Sequence, residues 1–145
     1  MINHQPPFGA FWAGLVPLEN LSGYLIQGCQ AGKRHAHGAT PERITVTGSS
    51  PMKAYRRLAE VTGHAWFVAV REHDLLNLDR AHWTQMVRGI PKIKLVSEQL
   101  WTWAKPIWEG AIDDRIHWPE TSSALWLALT AAREDELRAG DEVLF

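Results

Sequence analysis

The sequence predicts an α+β fold, a single compact domain over residues 1–145 with a small sheet of three or four strands and three or four helices. Three observations carry this. Apolar residues switch between a spacing of two, as in strands, and helical spacing along the chain. No internal repeat, low-complexity tract or long linker divides it. A chain of 145 residues suits one domain, and at this size folding buries roughly 68–70% of the unfolded chain's surface.

The elements follow in chain order. "GYLIQG", Gly23 to Gly28, is a strand candidate. "RITVT" alternates, with Ile44 and Val46 on one face and Thr45 and Thr47 on the other. "GSSP" ends that strand, with Ser50 as N-cap and Pro51 at the first helical position. Ala54, Tyr55, Leu58, Val61 and Thr62 then share a helical stripe, and Gly63 closes the helix. "HAWFVAV" is a continuous apolar run and reads as a strand buried on both faces. Trp66, Val68 and Val70 would face one way, and Ala65, Phe67 and Ala69 the other. Strand, helix and strand over about 43–70 form a βαβ-like unit, in which parallel and antiparallel pairing both remain open.

Asp79 caps a helix through Arg88 that Gly89 and Pro91 end, with Trp83, Met86 and Val87 toward the core. "KIKLV" suits an edge strand with its lysines outward. Ser97 caps "EQLWTWAK", which Pro106 stops or kinks. A last helix fits Ser123 to Arg138, and "EVLF" is a terminal strand candidate. The segment "ALWLAL" is apolar all round and predicts a buried first half for that helix.

Composition excludes several classes of function. Fifteen basic against sixteen acidic residues give a net charge of −1, so bulk electrostatics favours neither nucleic-acid binding nor acidic DNA mimicry. Cys29 is the single cysteine, which rules out an intramolecular disulfide and a cysteine-based zinc site and favours a reducing compartment. No apolar window reaches transmembrane length, and the first residues lack the pattern of an export leader. The expectation is a cytoplasmic protein without membrane contact. The excess of arginine over lysine points to a bacterial source.

Chemistry is most concentrated in "GKRHAHG", Gly32 to Gly38. In an extended chain His35 and His37 would share a face, which is half of a metal site. Zinc needs three or four ligands, and Lys33 and Arg34 beside the pair repel a cation. No metal and no cofactor are therefore expected. The same cations suit an anion. With Ser49, Ser50, Lys53 and Arg57 at the start of the helix after "GSSP", Lys33 and Arg34 would form a composite phosphate site if the two segments meet. His35 and His37 would then be the acid and base for phosphodiester cleavage. Apart from that contact, the segment is a solvated loop.

"REHD", Arg71 to Asp74, follows the apolar strand directly, where open α/β sheets place ligands. Its bland reading is a polar exit from the sheet. Cys29 lacks a helix N-terminus beside it and has weak grounds as a nucleophile.

Eight tryptophans are the strongest compositional signal. Trp101 and Trp103 lie about 200° apart on one helix, so either that helix is central or one indole is exposed. Exposed tryptophan and arginine are typical anchors of protein interfaces. The sequence therefore reads as a small interaction protein of inhibitor, immunity or adaptor type, phage- or plasmid-borne, rather than an enzyme. Its contact set would be Trp103, Trp108, Arg115 and Trp118, and its partner another protein. The alternative is the phosphate-directed activity described above, with nucleic acid as partner. Oligomeric state is not set by the sequence.

Overall fold

The computed structural model describes residues 11–19, 22–35, 38–76, 78–90, 92–109 and 118–132. In chain order the elements are β1 (Phe11–Pro17), β2 (Tyr24–His35), β3 (Gly38–Gly48), α1 (Pro51–Thr62), β4 (Trp66–Arg71), α2 (Glu72–Leu75), α3 (Arg80–Gly89), β5 (Lys92–Val96), α4 (Glu98–Trp108) and α5 (Trp118–Thr130). The α+β class holds, but among the described residues the sheet has five strands and about five helices accompany it.

β1 is the strand absent from the sequence reading. Its segment "FWAGLVP" carries Gly14 and Pro17 and lacks clean alternation, because a central strand meets apolar partners on both faces.

The strand order is β3-β2-β1-β4-β5. β2 runs antiparallel to both its neighbours, and β1, β4 and β5 pair in parallel. β3 therefore shares the direction of β1, β4 and β5, and only β2 opposes them. The βαβ-like unit at 43–70 exists as β3-α1-β4, but β2 and β1 lie between its two strands. The crossover between adjacent parallel strands is instead β4-α2-α3-β5.

Alternation along the strands builds two cores. Ala13, Leu15, Tyr24, Ile26, Trp66, Val68 and Val70 face α1 and α3, where Leu58, Met86 and Ile90 close the larger core. Trp12, Cys29, Ala69 and Val96 face α4 and α5 with Trp101, Ile107, Trp108, Leu125 and Leu129. The predicted split of β4 is correct for Trp66, Val68 and Val70 against Phe67 and Ala69. In the second core Trp12 stacks on Phe67 at 4.7 Å, and the Trp126 ring approaches Trp12 at 6.0 Å and Phe67 at 5.5 Å.

Local chemistry sets the helix ends. Ser50 accepts a hydrogen bond from the Lys53 N–H at 3.2 Å, Pro51 opens α1, and Gly63 closes it at φ 72°. Only a residue without a Cβ takes that left-handed conformation at no cost. Asp79 caps α3 through the Ala81 N–H, and Ser97 caps α4 through the Leu100 N–H.

Four expectations are corrected. α4 continues through Pro106 to Trp108. Pro106 and Thr102 lie on the exposed side, where water can take the Thr102 carbonyl that the proline cannot bond, while Ile107 and Trp108 hold the last turn to the sheet. α5 starts at Trp118, not Ser123, and the residues from 133 of the expected helix, like "EVLF", lie outside the described residues. Its "ALWLAL" is not buried all round, because α5 lies on a sheet and buries one side. Leu125 and Leu129 face the core, whereas Leu127 is 43% exposed. Finally, β5 is an edge strand among the described residues, yet of its two lysines, which share a face, only Lys92 is exposed; Lys94 is buried.

Candidate functional site

Four strands of like direction place their carboxyl ends on one edge of the sheet, and the strand order reverses between β1 and β4. Such a switch point is where open α/β sheets bind ligands. "REHD" sits there. Arg71 ends β4 and donates from Nε and Nη2 to the two carboxylate oxygens of Asp74 at 3.2 and 2.9 Å. Its Nε also lies 3.5 Å from Glu98 Oε1, at the start of α4. The guanidinium stands 5.7 Å over the Trp101 ring. The hydrogen bond to Asp74 is the main reason its pKa lies above the usual arginine range, against the opposing effect of burial.

Asp74 is buried and paired with Arg71, so "REHD" is a clasp that joins β4 to α4 and covers one end of the second core.

The turn "GSSP" reaches the same edge, because Gly48 ends β3 beside Tyr24 at the start of β2. The Tyr24 hydroxyl lies 3.2 Å from His82 Nδ1. Burial, with a smaller contribution from the Asp79 charge, pushes the Tyr24 pKa up. Ser50 already caps α1, while Ser49, Lys53 and Arg57 are exposed.

"GKRHAHG" lies at the opposite end. β2 carries Lys33, Arg34 and His35 along its last residues, and His35 pairs with Gly38 as β3 begins. His37 lies outside the described residues. β3 runs from Gly38 to Gly48, which at about 3.3 Å per residue separates the hairpin end from Ser50 by roughly 30 Å along the strand. Lys33 and Arg34 therefore do not join Ser49, Ser50, Lys53 and Arg57 in one anion site. Sequence distance was a poor guide because β3, a single extended element, separates the two segments. Among the described residues no group of three or more His, Cys, Asp or Glu is placed to hold a metal ion.

The tryptophans of α4 divide by helix face. Trp101 and Trp108 pack edge to face at 4.9 Å beneath the helix, and Trp108 is only 2% exposed. Trp103 is 45% exposed on the outer side. Of the expected contact set, Trp103 is at the surface and Trp108 is a core residue, since Gly14 lets its indole lie directly on β1. Trp118 is the first residue of α5, and Arg115 lies outside the described residues. Cys29 is buried in the second core, where a thiol is a packing group.

Two features escaped the sequence reading because both depend on strand order. A cleft of about 340 Å³ opens where α4 lies over β1 and β2. Gly14, Val16, Leu25 and Gln27 form its floor, and Trp101 and Trp108 its wall. At its rim Lys105 Nζ lies 3.9 Å from Glu109 Oε1, and Arg43 donates to the Glu109 carbonyl at 2.8 Å. The second feature is the outer edge of β3, which pairs with no other strand among the described residues.

No family model matches the chain, and neither a curated protein nor a solved structure does.

Proposed function

We propose that this chain acts by docking on a partner protein, in the manner of a small inhibitor, immunity protein or adaptor. The exposed indole of Trp103 carries the reading. α4 holds three tryptophans, two of them sunk into the core and one turned outward at 45% exposure. A fold that already buries Trp101 and Trp108 gains nothing in its own core from Trp103, and an exposed indole is the side chain that contributes most when a partner covers it. Leu127 adds a second outward apolar group on the neighbouring α5.

The test is co-purification from the source cells with the wild-type chain and with Trp103→Ala as bait. The variant should stay folded, with an unchanged thermal transition, and should lose the partner that the wild-type chain retains. Equal recovery of that partner by a folded Trp103→Ala chain would overturn the reading.

A further inference from the structure

We infer that the outer edge of β3, from Glu42 to Gly48, is a docking strand that pairs through its main chain with an extended acidic segment of a partner protein. The inference rests on the docking reading above and adds a second surface and a chemistry to it.

The two edges of the sheet are not alike. β5 is five residues long, and Ile93 to Val96 are buried. β3 is eleven residues long, and Glu42, Arg43, Thr45 and Thr47 are exposed. Among the described residues this edge presents unpaired N–H and C=O groups, which native sheets otherwise cover, shorten or guard. Pro41 removes one donor and confines the usable stretch to the residues after it. The β-branched run from Ile44 to Thr47 suits cross-strand pairing.

Charge selects the occupant. Arg43 on β3 and Lys53, Arg56 and Arg57 on α1 are all exposed, against Glu42 and Glu60. Met52 marks the flank of α1 that faces α3, because it touches Gly89. At 100° per residue, Val61 is about 180° and Arg57 about 140° round from Met52, so both lie toward the free edge of β3. Val61 is 66% exposed. An incoming strand would therefore meet Arg57 and the apolar Val61 on the α1 face, and on the other face Arg43, whose Nη1 also donates to the Glu109 carbonyl.

A second copy fits this edge poorly. α1 returns along β3 from Gly48, and about 10 Å of helix brings Arg57 level with Thr45, about 10 Å back along the strand. Antiparallel self-pairing centred on Thr45 would set the two Arg57 side chains against each other. An acidic strand removes that repulsion.

The probe is an eight-residue peptide alternating glutamate and valine, compared with the same peptide N-methylated at every second residue and with a lysine–valine version. Binding is read by fluorescence anisotropy and by hydrogen exchange at the amides of Glu42 to Gly48. The acidic peptide should bind and slow exchange there, with at least tenfold weaker binding after N-methylation and no binding of the lysine version. Arg57→Glu should weaken the acidic peptide about tenfold without moving the thermal transition. Equal binding of the N-methylated peptide would reduce the site to bulk charge and overturn the inference. So would a single-stranded oligonucleotide that binds the patch more tightly than the peptide, or protection in the free chain of the β3 amides that point away from β2. None of these outcomes touches Trp103, so the strand inference can fail while partner capture through Trp103 stands.

Discussion

Gly14→Ala tests how α4 is seated on the sheet. A Cβ at Gly14 would lie 2.6 Å from Cε2 and Nε1 of Trp108 and 2.8 Å from its Cζ2. Carbon contacts settle near 3.5–4.0 Å, so the indole would have to retreat by about 1 Å. Trp101 stands against it at 4.9 Å between ring centroids, so the indole can give only toward the cleft it lines. Overpacking of this kind costs about 1–3 kcal/mol, offset by about 0.4–1 kcal/mol because alanine restricts the unfolded chain more than glycine. The expected net loss is about 1–2 kcal/mol. In urea the midpoint should fall with the slope unchanged, and the thermal transition should drop by roughly 3–6 °C. Trp108→Leu should itself cost about 2–4 kcal/mol. In the double variant the alanine should become nearly harmless, with a coupling of about 1 kcal/mol or more. A Gly14→Ala chain as stable as wild type, or strict additivity with Trp108→Leu, would refute the packing described.

Three further outcomes are expected. Trp103→Ala should change stability by no more than about 0.5 kcal/mol, whereas Trp101→Ala on the same helix should cost about 3–5 kcal/mol, both measured by denaturant titration. Asp74→Asn should cost about 1–3 kcal/mol, because it leaves Arg71 without its charged acceptor, and Glu98, 57% exposed at its side chain, replaces little of it. Tyr24 should ionise above the ordinary 10.0 in an absorbance titration, and Asp79→Asn should move that step down while keeping the α3 cap. Because the fold raises this pKa, the associated stability is intact below the unfolded-state value and is lost as pH rises through the Tyr24 value.

Where local rules decide, the sequence was legible. Ser50, Pro51 and Gly63 bound α1, and Asp79 and Ser97 open α3 and α4, because caps depend on residues a few positions apart. The facing of β4 could be read from its period of two. Strand order could not be read. β1 meets β4 through a register pairing Phe11 with Trp66, and nothing local to either segment encodes it. The candidate site divided along the same line. Trp103 emerged as one of two alternatives for α4, decided only by which side of the helix the sheet covers. The proposed meeting of "GKRHAHG" with "GSSP" failed because β3 stands between them at full length.

The position of β1 also has a consequence for how the chain is made. Its pairing with β2 forms early, since only a short connection separates them, but its other edge stays open until β4 has been synthesised about fifty residues later. At elongation speeds of about 5–20 residues per second that interval lasts roughly 3–10 s. During it an apolar strand destined for the centre of the sheet has one edge free to meet another nascent chain. Slower elongation between β1 and β4 lengthens that interval and should therefore lower soluble yield with the folded protein itself unchanged.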